Sequence, residues 1–147
     1  MKKILPPTYF LMAPVGMILL HFLWPLGRYL SFPLTLLGLV PLLIGVLLNL
    51  VADREFKRHA TTVKPFEQSS ALVTAFPFSL SRNPMYLGVA LMLLGVAMLF
   101  GTISPLIPVV VFSILMDVMF VRTEERMLAE TFGNEWERYR LQVRRWI

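Results

Sequence analysis

Three stretches of this chain carry no charged residue: Ile4 to Gly27, Tyr29 to Ala52 and Asn83 to Met116. A bilayer crossing takes about 20 predominantly apolar residues, so each of the first two suits one helix. The third is too long for one crossing. It is broken near its middle by Gly101-Thr102-Ile103-Ser104-Pro105, a turn-forming cluster. The pattern predicts an all-α polytopic membrane protein, a single membrane domain over residues 1–147. Its four transmembrane helices are expected near Tyr9–Leu26, Pro33–Val51, Pro84–Phe100 and Pro105–Val121, with a loop over 52–83 and a tail over 122–147. The first stretch lacks a small-residue cleavage site and a second follows at once, so it does not read as a cleavable signal peptide.

Composition narrows the class. Hydrophobic residues make up 56% and charged residues 16%, against about 25% charged in soluble domains. In water such a chain would expose large apolar patches and aggregate. That excludes an ordinary cytosolic enzyme, a disordered tail and a coiled coil. Cysteine is absent, which removes a disulfide framework, a thiolate metal site and a cysteine nucleophile. His21 and His59 are too few for a histidine-built metal site, and no metal is expected.

Of the 14 Lys and Arg, only Arg28 falls between the first two helices or the last two. The rest share the side of both termini and of the loop 52–83. The positive-inside rule puts that side in the cytoplasm. Anionic lipid headgroups then suffice for the net charge of +5, and no nucleic-acid partner is needed.

Gly38 and Gly45 are seven residues apart, as are Gly88 and Gly95, so each pair marks one helix face where backbones can approach in lipid. Pro14 and Pro41 stand inside spans, where neighbouring helices compensate lost hydrogen bonds. His21 and Asn49 read as interhelical hydrogen-bonding residues, and the nine methionines as packing. In the tail, Leu128, Phe132, Trp136, Tyr139 and Val143 recur in steps of four, four, three and four, an amphipathic helix. Gly133 interrupts it, and Asn134 with Glu137 resembles a capping box for a second helix.

Chemistry concentrates at the cytoplasmic side. Arg82-Asn83-Pro84-Met85-Tyr86-Leu87-Gly88 leads into the third helix. Arg82 is either an ordinary boundary arginine or a clamp for a carboxylate or phosphate, aided by the helix N-terminus. Glu124 and Glu125 follow the fourth helix, where acidic residues oppose the helix dipole. They are a solvated pair or a binder of a cation or hydroxyl groups. Asp117, near the end of that helix, either pairs with Arg82 or another loop arginine, or serves a substrate. No Gly-x-Gly nucleotide loop is present, and no Ser/His/Asp order suggests a hydrolase.

The chain resembles the isoprenylcysteine carboxyl methyltransferase and phospholipid methyltransferase superfamily in its short bacterial form. The resemblance begins at Thr61-Thr62-Val63-Lys64-Pro65-Phe66 and runs to the C-terminus. Arg82–Gly88 is similar to the family's Arg-His/Asn-Pro-x-Tyr-x-Gly signature. Glu124-Glu125, Leu128, Phe132-Gly133-Asn134-Glu135-Trp136 and Tyr139 are similar to its Glu-Glu…Leu…Phe-Gly-x-Glu-Tyr…Tyr pattern, which also ends in basic residues. The chain departs from the family at Phe76-Pro77, where glycine usually precedes the proline, and at Ser79, where a polar or basic residue is frequent.

The resemblance implies a methyltransferase of the bacterial inner membrane that uses S-adenosylmethionine. It implies that Arg82, Asn83, Pro84, Tyr86, Leu87 and Gly88 line the cofactor, with Glu124 and Glu125 opposite. Arg82 would meet the carboxylate, and a glutamate the ammonium or ribose. Tyr86 would place its π face near the sulfonium, and Gly88 would admit the cofactor or another backbone. Glu125 and Asp117 are the candidate general bases. The acceptor would be a lipid or lipophilic small molecule: a phospholipid amine, a small thiol or an isoprenylcysteine-like carboxylate. The competing readings are a small four-helix transporter and a catalytically silent membrane scaffold.

Overall fold

The computed structural model describes residues 6–60 and 70–147. The segment Thr61–Phe66, Lys2, Lys3 and Lys64 lie outside the described residues. The protein is all-α, and the described residues hold no strand, only an isolated bridge between Arg28 and Thr102. Helix α1 spans Pro6–Leu23. A 3-10 turn at Leu34–Gly38 leads into α2, Leu39–Arg58. Helix α3 spans Pro84–Phe100 and α4 Leu106–Met116. A π turn at Asp117–Val121 carries α4 without a break into α5, Arg122–Phe132, and α6 follows at Asn134–Gln142.

Several limits differ from those expected, for local reasons. Helix α1 stops at Leu23 rather than Leu26, because Pro25 disfavours helix in the residue before it. Helix α2 passes Val51 and ends at Arg58, so the loop starts later than residue 52. Pairs of Lys57 with Asp53 and of Arg58 with Glu55 support the extra turns. The helix expected to end at Val121 runs on to Phe132. The expected capping box does not form. Gly133 itself, at φ +48, ends α5 and precedes α6, with no side-chain capping bond, and Glu137 N–H donates to its carbonyl at 3.1 Å. That left-handed backbone favours glycine.

Helix α3 is central, packing on α2, α4 and α1. Its contact with α2 is a glycine seam in which Gly45 faces Gly88 and Gly38 faces Gly95. A Cβ on any of the four would collide with the opposite backbone: one on Gly95 would come 2.5 Å from the Gly38 carbonyl oxygen. Small residues are what let two backbones meet in lipid. Asn49 packs here too, but it donates to the Gly45 carbonyl of its own helix at 3.0 Å instead of bonding across helices. Gly45→Leu should therefore wedge α2 from α3 and cost about 1–3 kcal/mol, seen as a lower Tm in detergent, whereas Gly16→Leu, which has ordinary space beside Pro108, should cost less.

The interior has two parts. Met17 of α1, Leu93 and Ala97 of α3 and Phe112 and Met116 of α4 form the first, inside the helix bundle. Ala52, Val73, Phe78, Trp136 and Tyr139 form the second, which fastens α6 and residues 73–78 to the end of α2. At the far end of the bundle, Tyr29 N–H donates to the Gly101 carbonyl at 3.0 Å, and His21 Nδ1 lies 2.7 Å from Thr102 Oγ1. Arg28 sits at this end. The other described Lys and Arg belong to the end of α2, the segment before α3, and the helices and C-terminal segment beyond α4.

Helices Leu34–Arg58 and Leu106–Phe132 are long and apolar enough to cross a membrane, and α1 and α3 are shorter apolar helices. Only 17% and 22% of the two long apolar windows is buried inside the protein. A soluble core helix would show the reverse. Leu11, Phe22, Leu43, Leu47, Val110 and Ile114 point outward, a surface suited to hydrocarbon and not to water.

Candidate active site

The site forms where three segments meet: the turn before α3, the junction of α4 with α5, and the strand-like C-terminus after α6. The strap of residues 143–147 is tied to the turn by main-chain acceptors. Arg82 N–H donates to the Arg144 carbonyl at 3.0 Å, and Ser81 Oγ and Asn83 Nδ2 donate to the Arg145 carbonyl at 3.1 and 3.2 Å. Ser81 Oγ in turn accepts from Asn83 N–H at 3.1 Å. These bonds fix the direction of the Arg82 side chain, which is only 9% exposed.

Arg82 Nη2 lies 3.2 Å from Glu125 Oε1, and its Cζ lies 5.6 Å from the Trp136 ring centroid. Arg145 reaches the same carboxylate from the other side, donating to Glu125 Oε2 from Nη2 at 2.7 Å and from Nε at 3.1 Å. Its Nη1 donates to Asp117 Oδ1 at 3.3 Å, and Arg122 Nε donates to Asp117 Oδ2 at 2.9 Å. The result is one line of alternating charge: Arg82, Glu125, Arg145, Asp117, Arg122. The π turn makes the last link, because its wider winding brings residues five apart together.

Burial pulls the Arg82 guanidinium below its usual pKa while Glu125 opposes that shift; it remains a cation, as arginine does in proteins. Hydrogen bonding to Glu125 holds Arg145 above its usual value. Burial pushes the Tyr139 phenol up, so it stays protonated and donates to the Phe78 carbonyl at 2.6 Å, anchoring α6 beneath Arg82.

The line is incompletely satisfied. Arg82 Nε and Nη1 and Glu125 Oε1 are buried without a hydrogen-bond partner. Oε1 is close to Arg82 Nη2, but the angle is poor for a hydrogen bond. Buried polar groups are usually paired, and spare N–H donors on two edges of a guanidinium beside a carboxylate suit a ligand with a carboxylate next to an ammonium or hydroxyl. S-adenosylmethionine offers that set, so these residues fit it.

The residues expected to share one site are divided. Arg82, Asn83, Glu125 and Asp117 come together through Arg145. Asp117 pairs with Arg122 and Arg145 and not with Arg82. Tyr86 and Glu124 form a separate pair, the phenol donating to Oε1 at 2.8 Å. The Tyr86 ring packs on the bundle interior, and the aromatic face beside a cation belongs instead to Trp136. Gly88 turns to Gly45 and Asn49, so of the two approaches open to it the structure places a backbone there. Pro84 and Leu87 are buried at the start of α3. Phe76 is 58% exposed. Sequence reasoning missed Arg145 and Trp136 as members of the site. Arg144-Arg145-Trp146 beside the chain end was the signal for the first, and nothing in an amphipathic stripe separates Trp136 from a packing residue.

The phospholipid methyltransferase family matches this chain over residues 34–135. A Haemophilus influenzae protein described as uncharacterized is 33% identical over 63 residues, covering 43% of this chain and all of the relative. No solved structure matches. The family match covers more than half of the chain and takes in Arg82, Asp117, Arg122, Glu124 and Glu125, and on that ground the chain belongs to the phospholipid methyltransferase family.

Proposed function

We propose that this chain is an integral membrane methyltransferase that moves a methyl group from S-adenosylmethionine to a membrane-resident or lipophilic acceptor. The observation that carries the reading is the buried Arg82, with Nε and Nη1 unpartnered beside the Glu125 carboxylate. In this reading α1 to α4 cross the bilayer and both termini face the cytoplasm. Helix α1, with 18 residues, measures about 27 Å, close to the hydrocarbon thickness. The acceptor is a phospholipid amine, a small thiol or an isoprenylcysteine-like carboxylate.

S-adenosylmethionine would supply a methyl group made electrophilic by its sulfonium. The protein's part is to hold and align. Arg82 takes the carboxylate through an unpartnered N–H group, and Glu125 takes the ammonium or a ribose hydroxyl. Trp136 and Tyr139, buried below, keep water from the guanidinium and so strengthen its hold. Positioning of the nucleophile in line with the breaking bond supplies much of the rate. Asp117 and Glu125 are the candidate carboxylates to receive a proton from the acceptor, and Arg145 orients both. Ion-coupled transport needs an ionisable group deep in a span. Among the described residues of the apolar stretches 9–23, 39–52 and 84–100, the only histidine or charged residue is His21, which is held by Thr102 near a helix end.

The test is transfer of labelled methyl from S-adenosylmethionine into a mixture of bacterial phospholipids and lipophilic thiols by the purified protein. Label in an extractable lipid or thiol product supports the reading. No product, together with no calorimetric binding of the cofactor, would overturn it.

A further inference from the structure

The unpartnered atoms of the charged line are closed off. Nε and Nη1 of Arg82 and Oε1 of Glu125 are buried, and the two side chains are 9% and 11% exposed. A ligand carboxylate reaches that guanidinium only if a neighbouring element moves. Two neighbours are held with unequal strength. Helix α6 is anchored by its apolar face: Trp136 and Tyr139 sit in the second core, and the Tyr139 phenol donates to the Phe78 carbonyl. The strap after it is held mainly by polar ties. Helix α6 ends at Gln142, and Val143 is extended, so the chain leaves the helix there. Beyond it the Arg144 and Arg145 carbonyls accept from the turn before α3. The Arg145 guanidinium bonds Glu125 and Asp117, while the Arg144 and Ile147 side chains are exposed. Hydrogen bonds of this kind exchange for bonds to water or to a ligand at small net cost, whereas exposing the apolar anchors of α6 does not.

Arg145 also does what a ligand's ammonium would do. It sets a cation on Glu125 Oε2, at 2.7 Å from Nη2 and 3.1 Å from Nε, beside the buried Arg82. Charge opposes the presence of both cations. The line already sets three guanidiniums, on Arg82, Arg145 and Arg122, against the two carboxylates of Glu125 and Asp117. S-adenosylmethionine adds an ammonium and a sulfonium against a single carboxylate. Among partly buried groups salt screens such a surplus poorly. Release of Arg145 relieves it, and the guanidinium keeps a partner, because Nη1 donates to Asp117 Oδ1 at 3.3 Å. Arg145 is 36% exposed, so the exchange is reached from water. We propose that the C-terminal strap is an autoinhibitory latch, hinged at Val143, whose Arg145 holds Glu125 until the ammonium of an amino-acid-bearing ligand replaces it. The proposal rests on the methyltransferase reading and adds to it how the buried arginine is reached. The apparent affinity for the cofactor is then lowered by the closed fraction of the strap.

Strap mobility and binding test this together. The chain has no cysteine, so Arg144→Cys in the full chain takes a single nitroxide label, read by electron paramagnetic resonance in detergent. Saturating S-adenosylmethionine should raise the label's mobility. 5′-Methylthioadenosine, which has the nucleoside and no ammonium, should not. Arg145→Gln should free the label without ligand and tighten S-adenosylmethionine about tenfold by calorimetry, because a charge-assisted tie that competes with the ligand is gone. Arg145→Lys, which keeps the cation, should stay near wild type. A residue that only holds the fold gives the opposite sign, a looser strap with weaker binding. An immobile label at saturation, release by 5′-methylthioadenosine, or unchanged or weaker binding in Arg145→Gln would overturn the latch. Absence of S-adenosylmethionine binding in wild type and Arg145→Gln alike would instead defeat the methyltransferase reading.

Discussion

Arg82→Ala should lower the affinity for S-adenosylmethionine by more than about a hundredfold, while Arg28→Ala leaves it unchanged. The size follows from the geometry. Nε and Nη1 of Arg82 are buried and unpartnered on different edges of the guanidinium, so acceptors of a ligand would take two charge-assisted bonds of about 1.5–3 kcal/mol each. Every factor of ten in affinity takes about 1.4 kcal/mol. Arg82→Lys should restore little, because an ammonium is a point charge and cannot place donors along two edges of a guanidinium plane. The fold should tolerate the change, since Glu125 keeps both of its hydrogen bonds from Arg145. Calorimetry alongside thermal unfolding separates the two effects. Wild-type affinity in a folded Arg82→Ala protein would remove this arginine from the binding site.

The glycine spacing and the two charged motifs were legible for different reasons. Gly38, Gly45, Gly88 and Gly95 share a heptad spacing that places each pair on one face, and the seam follows from steric need alone. Arg82 and Glu125 could be brought together only by resemblance, since no periodicity relates a residue before α3 to one after α4. What the sequence concealed depends on small backbone departures. A π turn at Asp117–Val121 adds a residue to one winding, which apolar spacing does not record, and it sets Arg122 beside Asp117. Gly133 likewise sets the angle that returns α6 and the strap to Arg82. The roles of Trp136 and Arg145 follow from that angle and from no local pattern. Tyr86 and Gly88, which the resemblance makes cofactor contacts, meet Glu124 and the α2 backbone here, since successive helix positions face different neighbours. Residues 84, 87 and 88 turn inward or to α2, and only the part of the motif before the helix lies on the charged line.

Glu125→Ala should cost more stability than any other single change on that line, about 3–5 kcal/mol. Its carboxylate stands between two guanidiniums, accepting from Arg145 and facing Arg82 at 3.2 Å. Removing it leaves Arg82 buried without a counter-charge and turns an attraction between Arg82 and Arg145 through Glu125 into bare repulsion. A large drop in Tm is expected, and cofactor binding should be lost with it. The loss of binding would then be ambiguous, so a second variant is needed. Arg82→Met with Glu125→Leu replaces the buried pair by apolar groups of similar size, a change that is often neutral or stabilising. This double variant should recover most of the lost Tm and still bind no S-adenosylmethionine. Recovery of Tm and binding together would place the cofactor elsewhere, and an unaltered Tm in Glu125→Ala would mean that the charged line does not hold the C-terminal strap to the helices.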